Sequence, residues 1–353
     1  MAKIYNDYFD IEHMINTAIA EHICFVIAVS EDKERGAGKT YSSARFLFEK
    51  YREKDEKFVI FVRMVKELGK VAEGIFGSYL SDNYPDISIC EKSINNVYSE
   101  IFIQEGKGKE KTTNTIGFIC PLVNARNIKQ YRGIFQASNV RYFYMDEFMP
   151  LDGKYLKDET DLMKTIYDTV NGKVEDLPII MTANCISLGN PYFTMLKLNS
   201  KLQSNTRSLK TETCVYENVV VEGLAEKHIN SAANKAFGKN TEEYISNVWI
   251  ADNNSLVAKP DQWGRARYTC TLIYNNQRLG VYSYDQVGYR YISRKTDGNC
   301  IFVYNLTLEG DLNVPLLRTT PFLKRLREEF FKGIVRVQDN GLQRMLLEIF
   351  GNC

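Results

Sequence analysis

The sequence predicts an α/β protein: an open, largely parallel sheet covered by helices on both faces, then a linker module, then a smaller α+β domain. Three observations carry this reading. Short β-branched apolar runs alternate with segments of helical periodicity through the first half of the chain, as a doubly covered parallel sheet requires. The first run leads into a glycine loop ending in Lys-Thr and then a helix, the order that a phosphate-binding loop needs. The last hundred residues change to closely spaced strands followed by two capped helices. A length of 353 residues suits two domains.

In chain order, Ile23 to Val29 (ICFVIAV) is apolar throughout, as a strand buried on both faces should be. After the polar stretch Ser30 to Arg35 comes Gly36-Ala37-Gly38-Lys39-Thr40, then Ala44, Leu47, Phe48 and Tyr51 at the i, i+3, i+4, i+7 spacing of a helix. Phe58 to Val62 is a second buried strand within reach of a βαβ unit, which right-handed crossover lays parallel to the first. Residues 65–80 read as a helix, 87–104 as a strand hairpin, Gly106 to Lys111 as a mobile charged loop, Thr115 to Cys120 as a strand and Asn124 to about Gln130 as a short helix. The strand Tyr142 to Met145, the helix Glu159 to Val170 and the strand Ile179 to Thr182 complete a first domain, residues 1–201. Residues 202–253 loosen into asparagine-rich sequence with one apolar strand at Val219 to Val221, and read as a linker module.

In the domain 254–353, Arg267 to Tyr274 and Gln277 to Tyr284 are strands joined at Asn275-Asn276, a pair that tolerates positive φ. Tyr289 to Ser293 and Cys300 to Tyr304 complete a meander. Thr320-Pro321 starts a helix that Gly333 stops, and Asp339 caps a second that Gly351 closes.

With 44% hydrophobic and 25% charged residues, the composition excludes a disordered, collagenous or fibrous chain. No apolar run reaches the roughly 18 residues of a membrane span and the N-terminus has no signal-peptide core, so a soluble cytosolic protein with no membrane partner is expected. Eight cysteines lie scattered without a C-x-x-C pair, beside three histidines, which predicts free thiols in a reducing compartment instead of a zinc site or disulfide scaffold. The net charge of +1 divides unevenly: residues 254–353 hold 14 Lys and Arg against 9 Asp and Glu, and residues 1–253 hold 31 against 35. The basic C-terminal third is therefore the part suited to a polyanion.

A phosphate loop needs backbone N–H groups aimed into one concavity, a lysine for the terminal phosphates and a hydroxyl for magnesium. Gly36, Ala37, Gly38, Lys39 and Thr40 supply these, for ATP with Mg2+. The pattern G-x-x-x-x-G-K-S/T wants glycine where this chain has Lys33, so the approach through Ser30 to Lys33 is reshaped. The second half of such a site is a carboxylate at a neighbouring strand end for the metal, followed by one that polarises water. Asp146 and Glu147, ending the run YFYM, have that form. Thr182 and Asn184, at the end of the next strand, are candidate sensors of the γ-phosphate or the water. Arg63, at the end of the second strand, is a candidate to hold phosphate or to pair with Glu147, an ordinary salt bridge being favoured.

The segments FVIAV and RGAGKT, FVIFVRMVKELGK, FYMDEF, TANCISLGNPYF and LIYNNQRLGVY, in this order and spacing, resemble the DNA-packaging ATPases of phi29-like tailed phages. The resemblance runs from about residue 23 to the C-terminus. It implies an additional-strand (ASCE) ATPase domain, a linker, and a C-terminal domain like a degenerate RNase H nuclease. It further implies ATP-driven movement of double-stranded DNA by a homopentameric ring at the portal vertex of a procapsid in the host cytoplasm, with a structural packaging RNA as a further candidate partner. Lys39, Thr40, Asp146 and Glu147 match the family motifs directly. The family's trans-acting arginine has no counterpart after the Asp146 helix. Lys173 is the nearest cation there, and Arg132 and Arg126 are alternatives.

Two-metal nuclease chemistry needs converging carboxylates. The strand Tyr268 to Tyr274 carries none, so DNA cleavage is not expected of the last domain, and nucleic-acid binding or portal docking is. Arg265, Arg267, Arg290, Arg294 and Lys295 interleave with Trp263, Tyr268, Tyr289 and Tyr291 as a candidate binding face, and Lys107, Lys109 and Lys111 are candidate contacts to the DNA backbone. A phosphotransferase on the same core should carry an arginine-rich lid, and none is found. An ATP-binding adaptor without turnover should lack an intact Glu147.

Overall fold

The structure, a computed structural model, describes residues 5, 8–31, 34, 36–106, 112–150, 154–172, 176–185, 190–198, 201–202, 206–232, 256–274, 277–306, 314–315 and 321–351. They fall into two compact units, Met1–Ile186 with Leu202–Ile250 and Ser187–Lys201 with Ala251–Cys353. None of the described helices is long and apolar enough to cross a membrane. The seven described cysteines are free, and burial pushes the Cys24 thiol up to about 11.

The first unit is built on nine strands: β1 Phe25–Ser30, β2 Lys57–Val62, β3 Ser88–Ile94, β4 Tyr98–Glu105, β5 Thr112–Pro121, β6 Val140–Met145, β7 Ile179–Asn184, β8 Ser208–Lys210 and β9 Cys214–Val219. Their order is β3-β4-β5-β2-β6-β7-β1-β9-β8. The strands from β5 through β9 in this order are all parallel, and β3-β4 and β8 add antiparallel edges. β1 and β2 point the same way, as the crossover rule predicts, yet they are not neighbours, because β6 and β7 lie between them. That insertion brings the carboxyl end of β6 close to the glycine loop at 36–40.

Helices α1 Glu12–Ala20, α2 Lys39–Lys54, α3 Val71–Asn83, α4 Ala125–Ile128, α5 Arg132–Ala137 and α6 Glu159–Asn171 pack around this sheet. Side chains alternate between its faces. Phe58, Ile60, Tyr142 and Tyr144 join Met14, Leu47, Phe48 and Phe76 of α1–α3 in one core. Between them in sequence, Phe61 and Phe143 stack at 5.4 Å, and Phe143 meets Tyr167 of α6 at 4.8 Å. The central strands are therefore buried on both faces, which is why they read as unbroken apolar runs.

Three sequence expectations change. The helix expected over 65–80 is a 3-10 turn, Val65–Glu67, followed by α3, with Gly69 at φ +107 at the break. No helix was predicted before β1, but α1 forms there and buries Met14, Ile15 and Ala18. The expected linker 202–253 begins as sheet: β9 pairs with β1 and β8 closes the edge, so the first unit continues past residue 201. The register between β1 and β9 buries Tyr216 and Val219, an attachment that asparagine-rich composition hid.

The second unit holds β10 Arg267–Tyr274, β11 Gln277–Tyr284, β12 Tyr289–Ser293, β13 Val303–Asn305 and β14 Val335–Val337, in the order β13-β10-β11-β12-β14. β10, β11 and β12 form the expected meander. β13 does not extend it; it crosses to the free edge of β10 and pairs parallel, and the unpredicted β14 pairs parallel with β12. Helices Pro321–Phe331 and Asn340–Gly351 pack on this sheet through Leu323, Leu326, Phe330, Leu342, Leu346 and Phe350. Gly333 stops the first at φ +71, and Asp339 caps the second by accepting from the Leu342 N–H at 2.8 Å. Asn275, Asn276 and Thr320 lie outside the described residues.

Gly117 on β5 tests how closely the parallel core is packed. A Cβ there would stand 2.7 Å from both the Phe58 carbonyl oxygen and its ring. Gly117→Ala is expected to destabilise the first unit by about 1–3 kcal/mol, read as a lower urea midpoint at unchanged slope. Gly77→Ala, inside α3 with its nearest neighbour 4.0 Å away, should instead leave stability unchanged or raise it by up to about 1 kcal/mol.

Candidate nucleotide-binding site

The carboxyl ends of β1, β6 and β7 meet at one cleft of about 770 Å3, lined by Gly36, Ala37, Gly38, Lys39, Thr40, Asp146, Glu147 and Asn184 among others. Gly36 and Gly38 take φ +86 and +90, a conformation that other residues adopt only with strain. α2 begins at Lys39, so its free N–H groups and positive dipole end face the cleft.

Sheet register assembles the polar contacts. β1 and β7 pair with Ser30 opposite Asn184. Lys39, 9% exposed, reaches both: its Nζ donates to Ser30 Oγ and, at 3.3 Å, to Asn184 Oδ1. Asp146 follows β6. Its Oδ2 accepts from Thr40 Oγ1 at 2.9 Å, and its Oδ1 accepts from Thr182 Oγ1 at 2.6 Å and from the Glu147 N–H at 3.0 Å. Because the carboxylate can only accept, Thr182 donates to it, and Tyr144 OH, 3.0 Å from Thr182 Oγ1, donates in turn. Burial, and then the Asp146 charge, push the Tyr144 hydroxyl well above its usual range, so it keeps its proton.

Glu147 is exposed, and its carboxylate has no hydrogen-bond or ion-pair partner among the described residues. Its backbone sits at φ +47, a strain of about 1–3 kcal/mol for a non-glycine residue. Arg63 holds it there: the guanidinium donates to the Glu147 carbonyl at 3.1 Å and the Phe148 carbonyl at 2.6 Å, while pairing with the fully buried Glu159 carboxylate at 2.9 Å. The salt bridge expected of Arg63 thus runs to Glu159, and its contact with Glu147 is through the backbone.

The sequence reading offers Thr182 as a sensor. In the structure it is fully buried, bonded to Asp146 and Tyr144, and not part of the cleft lining; Asn184 is. Arg132 and Arg126 are exposed and lie outside this cleft. Lys33, Lys107, Lys109, Lys111 and Lys173 lie outside the described residues.

Sequence reasoning missed the bracing of the loop's approach. Glu31 and Glu34, 2% and 3% exposed, anchor it: Glu31 pairs with Arg207 at 3.0 Å and Glu34 accepts from the Val221 N–H at 3.1 Å. Both partners lie in the stretch read as linker, so only the attachment of β9 reveals them. The sequence carried no signal of this bracing, because two glutamates in a polar stretch read as solvated until the structure buries them.

In the second unit, Arg267 pairs with Asp285, Arg290 with Glu329 and Arg294 with Asp339. Trp263 packs against Tyr284, Tyr289 and Tyr291. Most of the candidate binding face is therefore engaged within its own unit.

Thr182→Val keeps the side-chain shape but leaves Asp146 Oδ1 and the Tyr144 hydroxyl each short of a partner. It is expected to cost about 1–3 kcal/mol, measured from the shift in urea midpoint.

The chain is 24% identical over 330 residues to the DNA packaging protein of Bacillus phage phi29, spanning 90% of this chain and 91% of that one. It is 23% identical over 325 residues to the DNA packaging protein of Bacillus phage B103, spanning 88% and 92%. Among solved structures, a chain of the bacteriophage Phi-29 viral genome packaging motor assembly superposes with a TM-score of 0.66 at 19% identity, covering 98% of this chain and 99% of that one. A chain of the Phi-28 gp11 DNA packaging motor gives 0.60 at 16% identity, covering 98% of each. These likenesses establish a shared fold across both units. The podovirus DNA encapsidation protein (Gp16) family matches residues 8–352, and the chain belongs to that family.

Proposed function

We propose that this chain is an ATP-hydrolysing motor subunit that drives double-stranded viral DNA into a procapsid. The observation that carries the reading is the convergence of Lys39, Thr40, Asp146 and Glu147 on one cleft, in a chain of the DNA encapsidation family.

Each residue's chemistry follows from its contacts. Lys39 exchanges the neutral oxygens of Ser30 and Asn184 for phosphate oxygens, which bind an ammonium more strongly. Thr40 and Asp146 present hard oxygen donors side by side, a set that suits Mg2+ and would hold it through one or two ligands or their waters. When bound, the ion neutralises charge on the terminal phosphates. Glu147 then orients and deprotonates the attacking water, for which a carboxylate without a competing partner is required. Asn184 is the candidate sensor of the γ-phosphate, and Arg63 positions Glu147 through its backbone. The subunits act as a homo-oligomeric ring, a pentamer by resemblance, docked at the portal vertex in the host cytoplasm. Lys107, Lys109 and Lys111 remain the candidates for DNA phosphates, and a structural packaging RNA is a further candidate partner.

ATP turnover by the wild type should rise on adding double-stranded DNA. Lys39→Ala should lose ATP binding. Glu147→Gln should bind ATP but turn it over about 100-fold more slowly or worse; turnover within about twofold of wild type would move the base elsewhere.

A ring whose subunits complete each other's sites needs a cation supplied in trans, which contributes about 10³- to 10⁵-fold in rate in related chemistry. Lys173 is the first candidate, with Arg132 and then Arg126 as alternatives. Each alanine variant is expected to bind ATP normally and hydrolyse it slowly. Mixing the responsible variant with Glu147→Gln subunits should restore part of the activity, because some interfaces then join two intact groups. A mixture of assembled rings as inactive as its components excludes that cation.

A further inference from the structure

We propose that Tyr8 is the stacking platform for the base of the bound nucleotide. This rests on the phosphate-loop reading of the cleft and extends it to the part of the ligand that loop does not touch.

Tyr8 lines the same cleft as Lys39 and Asp146. It is 72% exposed, an unusual position for a large ring in a unit whose other aromatics are mostly buried. The side chain lies beside the loop: its Cδ1 and Cβ stand 3.3 and 3.4 Å from where a Cβ on Gly38 would lie. The backbone around it is tied to the loop and to α2. The Phe9 N–H donates to the Ala37 carbonyl at 3.0 Å, the Ile11 N–H to Ser42 Oγ at 2.8 Å, and Arg45 to Asp10 at 2.7 Å. Phe9, 3% exposed, anchors the segment in the core. A ring with an open face, on a backbone held just after it in sequence, needs little ordering of the main chain before it stacks.

The rest of the lining identifies what stacks. Beyond the loop, the acidic pair, Ala183 and Asn184, the described lining is Tyr8, Tyr41, Gly74, Ile75, Ser78 and Asp82, and none of these described residues is a cation. This side of the cleft suits an uncharged flat group better than a further phosphate. Gly74, Ser78 and Asp82 recur every four residues along one face of α3. A Cβ at Gly74 would meet nothing within 4 Å, so that wall leaves open space. Aromatic stacking accepts any base, because each has a π-face; Tyr8 therefore supplies affinity and not base identity.

The test compares Mg-ATP with inorganic tripolyphosphate, which has the phosphates and no base, on wild type, Tyr8→Ala and Tyr8→Phe. Tyr8→Ala should weaken ATP about 5- to 150-fold, the range for losing one stacked base. Its tripolyphosphate affinity should stay within about twofold of wild type, and Tyr8→Phe should bind ATP like wild type. Unchanged ATP affinity in Tyr8→Ala overturns the proposal. So does an equal loss for both ligands, which would make Tyr8 a support of the loop. If neither ligand binds the wild type, the phosphate-loop reading itself has failed.

Discussion

The Lys39 ammonium is a charge drawn nearly out of water, and the arrangement of the first unit follows from keeping it satisfied there. A buried cation needs oxygen atoms held against it. Here they come from strand ends that are far apart in sequence, Ser30 after β1 and Asn184 after β7. Their meeting depends on the parallel register that sets those two residues opposite each other. The same alignment delivers Asp146 from the end of β6 to Thr40, the residue after the lysine. The insertion of β6 and β7 between β1 and β2 is thus what makes one site of two separated motifs.

Around that core the polar contacts are layered. Tyr144 donates to Thr182, which donates to Asp146, so the carboxylate is fixed through an unbroken series of hydroxyl donors. Glu147 has the opposite setting. Its carboxylate is left open, while its strained backbone is held by Arg63, itself anchored on the buried Glu159. The position of Glu147 is set through its main chain and not through its side chain. Glu31 and Glu34 do comparable work for the loop's approach by tying it to Arg207 and Val221.

In the second unit, part of the basic excess is paired within the fold. Its excess of basic residues is real. Yet Arg290 and Arg294 are drawn into pairs with Glu329 and Asp339, on or beside its two helices, and Arg267 with Asp285 after β11. The aromatic residues among them pack on one another. Arg290 and Arg294 thus serve cohesion within the unit, whereas the Arg267–Asp285 pair is exposed on both sides.

Local chemistry was legible in the sequence. The apolar runs of β1, β2, β6 and β7 identified themselves because burial on both faces leaves no polar alternation. Gly36 to Thr40 and Asp146-Glu147 were recognisable because a phosphate loop and a strand-end acidic pair have fixed residue types at fixed spacing. Folding decided what depends on pairing partners. It put β8 and β9 into the sheet, turned β13 to the outer edge of β10, gave Thr182 to Asp146 and Arg63 to a backbone, and set Tyr8 over Gly38. The sequence by itself determined which groups could do phosphate chemistry, because that is written in side-chain type and short-range order. Only the tertiary structure decided which of them share a cleft, because strand order and register set the neighbours of residues a hundred or more positions apart.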